Sequence, residues 1–161
     1  MPIPDAVLPF WREFERSLGS MASERFYEAS YFADSEASAN HLAGLVLAGT
    51  KRATASLAWG LEFDGKQAPW PGALSVVTRW DGTPVCVIET LLVETVPFED
   101  VGEAFAAIEG EGDKSLRYWR EAHWAYYGRE CARIGKVPTR RMPVLCEQFR
   151  LVHPAPVPPR A

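Results

Sequence analysis

The sequence predicts an α+β domain built on a small curled β-barrel of mostly antiparallel strands with flanking helices. Two runs rich in Val, Ile, Thr and Leu, Ala73 to Trp80 and Thr83 to Phe98, meet at Asp81-Gly82, a strong two-residue hairpin signal. The second run, about 15 residues, far exceeds an ordinary strand of roughly five or six. It must therefore bend or bulge near Glu89 to Val93 and serve two parts of a curled sheet. Segments of helical periodicity lie on both sides of these runs, so helices flank the sheet.

At 161 residues the chain suits one domain. We expect it over residues 1–152, with 1–33 as an N-terminal helical extension and 153–161 as a Pro-rich mobile tail. Phe10, Trp11, Phe14 and Leu18 recur at helical spacing before Gly19, predicting a helix from Pro9 to Leu18. Arg25 to Phe32 is aromatic and poorly periodic, an irregular segment or a short strand. Asp34 and Ser35 are N-cap residues, and Leu42, Leu45 and Val46 share a face before Gly49, giving a helix from Glu36 to Ala48. Thr50 to Ser56 then follows a helix end and reads as extended.

Further along, Asp100 followed by Glu103 resembles a capping box, predicting a short helix from Val101 to Ile108 closed by Gly110. Asp113 reads as the cap of the longest helix, Lys114 to Ile134, with Gly128 a weak point and Gly135 the stop. Two stripes compete for its buried face, Arg120-Trp124-Tyr127-Cys131 and Leu116-Trp119-His123-Tyr126. Val144 to Val152 is the final strand, and the Pro-rich run after it can join neither helix nor ladder.

Composition narrows the function classes. Apolar residues make up 47% and charged residues 24%, a globular balance that fits neither a disordered chain nor a fibrous repeat. The longest apolar stretches, such as Leu42 to Ala48, fall far short of the roughly 18 residues of a membrane span. The first residues lack a secretory pattern, so the cytoplasm is the expected compartment. Cys86, Cys131 and Cys146 form an odd set without close pairs, which predicts buried reduced thiols rather than disulfides or a zinc knuckle. The net charge of -4 hides an asymmetry: seven basic and eighteen acidic residues as far as Asp113, ten and three beyond it. Either the last third forms a basic surface for phosphate, or the two parts pair across the fold.

Gly49-Thr50-Lys51-Arg52-Ala53-Thr54-Ala55-Ser56 places two cations and three hydroxyls where a helix meets an extended segment. On a strand, Thr50, Arg52, Thr54 and Ser56 share a face, with Lys51 opposite unless the turn rotates it. A lysine beside a hydroxyl can ease alkoxide formation; the competing reading is a solvated loop at a helix C-terminus. Glu109-Gly110-Glu111-Gly112-Asp113 alternates carboxylates with permissive glycines, which lets the chain aim several carboxylates at one point. Arg117 and Arg120, interleaved with aromatics, suit either nucleic-acid contacts or the edge of a core. His41, His123 and His153 show no metal-ligand spacing, and we expect neither metal nor other cofactor.

Taken together, Leu47 to Ser56, then Glu109 to Leu116 with Trp119, Arg120 and His123, and the strand Glu147 to Val152, resemble the ASCH (ASC-1 homology) domain family over Asp34 to Val152. The similarity is strongest to its bacterial stand-alone members. It implies a barrel like that of the PUA domain, a Gly-x-Lys-x-x-Thr motif on a cleft wall, and a role in binding RNA or a modified nucleoside. Some small relatives are amidohydrolases that deacetylate N4-acetylcytidine with a lysine, a threonine and a glutamate; longer relatives are associated with ribonuclease activity. Carried onto this chain, the resemblance makes Lys51, Thr54 and Glu109 the catalytic candidates, with Glu111 competing for the third place. Thr54 would attack the amide, Lys51 would accept or stabilise its proton, and Glu109 would assist the leaving group and the water. Arg52, Ser56, Glu111, Arg117 and Arg120 are the substrate-binding candidates. A ribonuclease and a non-catalytic RNA-binding module are the alternatives.

Overall fold

The computed structural model describes residues 2–156. The remainder of the Pro-rich tail lies outside the described residues. Helix α1 (Leu8–Leu18) begins with Pro9 in its first turn and ends at Gly19 in the left-handed conformation. Its face of Trp11 and Phe14 packs with Val7 on Phe26, Leu74, Val76 and Val87 of the sheet. Within the segment expected to be a helical extension, Phe26–Ser30 forms β1 and pairs in parallel with β3 (Leu74–Thr78). The N-terminal segment is therefore part of the sheet and its core. Its aromatic run has no alternation because one end of the strand is buried and the other reaches the surface.

Helix α2 (Glu36–Leu47) is capped by the Ser35 side chain. Strand β2 (Ala53–Leu57) follows, then a short helix, α3 (Ala58–Phe63), for which the sequence offers no periodic signal. The long run is one strand, β4 (Pro84–Pro97), and its register against β5 (Pro143–His153) slips between Thr90 and Leu92, inside the interval where a bulge was expected. Leu91 is the extra residue. The first half of β4 pairs with β3, the second half only with β5, and β5 in turn carries β2. His153, assigned from sequence to the mobile tail, is buried as the last residue of β5 and stacks edge-on against Phe10.

The strand order β1-β3-β4-β5-β2 is an open curled sheet, and this corrects the expected barrel. The edges β1 and β2 do not pair with each other; residues of both instead line a single cleft. The gap where a barrel would close is thus occupied by the cleft.

Helix α4 (Glu103–Glu109) starts from Gly102, so Asp100 is not its cap. Helix α5 (Leu116–Ile134) starts two residues later than expected, capped by Ser115, whose hydroxyl accepts the Tyr118 N–H at 3.0 Å. Asp113 instead accepts the Ser115 N–H at 2.9 Å. Its buried stripe is Trp119, His123, Tyr127, Cys131 and Ile134, drawn from both sequence stripes. Trp119, His123, Tyr127 and Cys131 follow one another at four-residue steps and Ile134 at three, a row that takes its first half from one sequence stripe and its second half from the other. Gly128 does not interrupt it. All three cysteines are free and buried. No described helix is long and apolar enough to cross a membrane.

If α1 is integral to the core, Trp11→Ala should shift a single urea-unfolding transition by about 3–5 kcal/mol. A separable extension would leave the main transition unmoved.

Candidate functional site

After α2 the chain turns at Gly49, and the N–H groups of Thr50 and Lys51 both reach back to the Leu45 carbonyl at 3.0 and 3.1 Å. The Arg52 N–H donates to Ile108 O and its carbonyl accepts from Phe149 N, each at 3.0 Å, so this turn is pinned between α4 and β5. Pinning rotates Lys51 inward and Arg52 outward. Lys51 is fully buried, whereas Arg52 is exposed.

The buried ammonium has a complete set of partners. Nζ donates to Ala53 O at 2.7 Å and to Glu111 Oε1 at 2.9 Å, lies 3.5 Å from Glu109 Oε1, and faces the Phe32 ring at 5.1 Å. Glu109, the last residue of α4, is buried with it. Trp119 and His123, one helical turn apart on α5, both address this carboxylate: the indole N–H donates to Oε2, and His123 Nε2 lies 3.1 Å from Oε1. The two rings stack at 4.1 Å.

His123 Nδ1 lies 2.9 Å from the Trp119 carbonyl. Both ring nitrogens therefore face acceptors, and the imidazole satisfies both only as an imidazolium. Burial pulls its pKa down, but the Glu109 charge and hydrogen bond outweigh this and hold it above the ordinary 6.5. Burial likewise pushes Glu109 up, and the Lys51 and His123 charges overcome it, holding the carboxyl below its usual 4.5.

Glycines let the two loops close. Gly110 has φ +75°, and a Cβ there would meet Thr50 O at 2.2 Å. At Gly112 a Cβ would meet the Tyr118 ring at 2.5 Å. The alternation read from sequence is thus a steric requirement of bringing Glu109 and Glu111 onto the Lys51 turn.

Above this network opens a cleft of about 470 Å³. Its floor follows from strand register: Thr54 pairs with Glu147 and Ser56 with Leu145 across β2 and β5, and these four line it. Glu109 and Glu111 border it as well. Of the sequence candidates, Thr54, Ser56, Glu109 and Glu111 therefore share one cleft, with Lys51 bonded beneath it. Arg52, Arg117 and Arg120 do not line it and are exposed. Arg117 pairs with Glu121 at 3.3 Å, and Arg120 reaches the Glu99 carbonyl at 3.5 Å.

A family model described as "ASCH domain" matches residues 28–153. The chain belongs to the ASCH domain family. Its structure is similar to that of an ASCH domain from Lactobacillus crispatus JV V101, with 37% identity and a TM-score of 0.84 over 94% of this chain and 97% of the other. It is also similar to protein EF3133 from Enterococcus faecalis V583, with 28% identity and a TM-score of 0.82 over 92% and 90% of the two chains. A search of curated proteins gave no match. The family is associated with RNA binding.

In this ASCH domain part of the charge asymmetry resolves into pairs across the fold. Arg129 meets Asp34 at 2.6 Å, Arg133 meets Asp64 at 3.0 Å, Arg141 meets Glu99 at 3.0 Å and Arg150 meets Glu89 at 2.9 Å. Besides His123, Arg129 and Lys66 border the cleft, and both are paired, Lys66 with Glu28.

Among the described residues one group has metal-ligating chemistry within reach of a common point: Glu109, Glu111 and His123. The Lys51 ammonium contacts both carboxylates and supplies the cation there.

Sequence reasoning missed Glu147. Burial lifts its carboxyl to about 7, helped by the Glu28 charge and opposed by a hydrogen bond from Thr90. Only the strand register could have revealed it as the neighbour of Thr54.

The network gives a pH signature. His123 contributes stability that is fully present near and below its ordinary 6.5 and is lost as pH rises through its elevated folded value. Glu109 contributes stability present above 4.5 and lost as pH falls through its lowered folded value. Urea unfolding across pH should therefore show the advantage of wild type over His123→Gln greatest just below neutrality and shrinking on the alkaline side. A pH-independent difference would contradict the imidazolium.

Proposed function

We propose that this ASCH domain is an amidohydrolase of N4-acylated cytidine-type nucleosides, with the cleft above Lys51 as its active site. The observation that supports this best is the position of the Thr54 hydroxyl and the Glu111 carboxylate on one cleft, over a fixed ammonium. Glu109 has both oxygens engaged by Trp119, His123 and Lys51. Glu111 uses only Oε1 on Lys51, and among the described residues its Oε2 accepts no hydrogen bond. Within the triad expected from sequence, we therefore give the proton transfers to Glu111 and the positioning of Lys51 to Glu109.

Thr54 Oγ1 attacks the acyl carbonyl while its proton passes to Glu111. The tetrahedral intermediate collapses, the C–N4 bond breaks, and Glu111 returns the proton to N4, releasing the cytidine. Water then attacks the acyl-threonine, giving a proton to Glu111; collapse frees the carboxylic acid and restores the Thr54 hydroxyl. Lys51, hydrogen-bonded to Ala53 O and Glu111 and ion-paired with Glu109, orients Glu111 and supplies positive potential next to the developing negative charge.

One observation favours a second reading, that the cleft takes a base within an RNA strand. Tyr31 and Trp80 lie with ring centroids 4.5 Å apart, tilted by 43°, and remain exposed, with Tyr31 on the cleft margin, so that each offers a ring face to a neighbouring base.

Incubation with N4-acetylcytidine, followed by mass spectrometry, should give cytidine and acetate. Thr54→Ala should lower turnover by at least about 1,000-fold, and Glu111→Gln should lower kcat by about 100-fold or more. Turnover surviving in Thr54→Ala would overturn the nucleophile. No turnover by wild type, together with salt-sensitive RNA binding, would leave the second reading.

A further inference from the structure

Glu147 is a buried carboxyl that the steps above do not use. Among the described residues no cation comes within ion-pairing distance of it, unlike Glu109 and Glu111. Thr90, itself buried on β4 beside the Leu91 bulge, donates its hydroxyl to Glu147 Oε2 at 3.2 Å. Oε1 accepts no hydrogen bond from a described residue, and the side chain borders the cleft. Such a carboxyl, desolvated and without a counter-ion, is more stable in its neutral form. Because Oε2 is the acceptor for Thr90, the proton belongs on Oε1.

A neutral carboxyl presents a donor and an acceptor side by side. We propose that Glu147 is the base-selecting residue of this cleft: Oε1–H donates to a ring nitrogen, and the second lone pair of Oε2 accepts from the adjacent exocyclic N–H, the paired edge that cytosine offers. This deepens the amidohydrolase reading and rests on it. Register gives the assignment its reach. Thr54 and Glu147 are directly opposite on antiparallel strands, so their Cβ atoms lie about 5 Å apart on one face. A base held through N3 and N4–H at Glu147 therefore carries its N4-acyl group alongside the Thr54 hydroxyl.

The charged and titratable groups around Glu147 are Glu28 and Tyr27 on β1, Lys66 beyond α3, and Lys51 before β2. Their net effect with burial is a carboxyl that ionises at about 7. Once ionised, Glu147 has lost its donor and repels the N3 lone pair of cytosine, whereas the N3–H of uracil is still a partner for it. Cytosine recognition should thus fail as pH rises through that value, while uracil recognition should not.

Calorimetric titration with the unreacted nucleosides cytidine and uridine tests this without relying on turnover. Wild type should bind cytidine about ten-fold more weakly at pH 8 than at pH 6, with no such loss for uridine. Glu147→Gln, which keeps a donor beside an acceptor, should bind cytidine equally at both pH values. Glu147→Leu, of similar volume, should lose at least about ten-fold in cytidine affinity at pH 6. Its urea-unfolding transition serves as the folding control. Cytidine affinity that is unchanged with pH in wild type, or retained in Glu147→Leu, would overturn the role of Glu147 while leaving the amidohydrolase reading in place. Absence of binding by wild type to both cytidine and N4-acetylcytidine at either pH would overturn that reading and this one together.

Discussion

An ammonium group taken fully out of water costs several kcal/mol unless anionic partners and hydrogen bonds replace its hydration, and the burial of Lys51 imposes that demand on the whole domain. Its answer comes from four separate parts of the chain: the Ala53 carbonyl at the start of β2, Glu109 at the end of α4, Glu111 in the following loop, and through Glu109 the Trp119 and His123 side chains of α5. Each partner carries a local condition. The α4 helix must end at Glu109, glycine must follow where Thr50 O leaves no room for a Cβ, and α5 must turn the Trp119–His123 stripe inward. The charges then balance as two cations against two anions, which explains how a pocket this deep can hold so many ionisable groups.

The same packing explains why the sheet stays open. Closing β1 onto β2 would fill the space over Thr54 and Glu147, the face that the buried network underlies. The bulge at Leu91 gives the curvature without closure, and β5, second from the edge, sets Glu147 against Thr54 of the edge strand β2. The strand-borne groups of the cleft floor thus come from one edge of the sheet and the strand beside it.

Much of this was legible along the chain because it is local. The Asp81-Gly82 hairpin, the overlong strand with its bulge, the Ser35 cap and the Gly19, Gly110 and Gly135 stops all depend on residues a few positions apart. The family resemblance, carried by motif order and spacing, was borne out by the match over residues 28–153. What stayed hidden is what register and long-range packing decide. Strand alternation alone would put Arg52 on the face of Thr54 and Ser56 with Lys51 opposite, and the pinned turn instead sends Lys51 in and Arg52 out. The Glu109 partner of His123 lies on another helix, and Glu147 stands in a strand of ordinary composition, so spacing along the chain assigns a role to neither. The charge asymmetry left two readings open for the same reason: Arg129, Arg133, Arg141 and Arg150 find their carboxylates far away in sequence.

The claim on which these points depend is that Lys51 and Glu109 stabilise the fold as a pair and that neither is tolerable alone. A double-mutant cycle with Lys51→Met, Glu109→Gln and the combined variant, read by urea unfolding, measures this directly. Each single change should cost about 3–5 kcal/mol because it leaves the buried charges of the network unbalanced, and the double variant should be more stable than Lys51→Met alone. Losses that simply add would contradict the account.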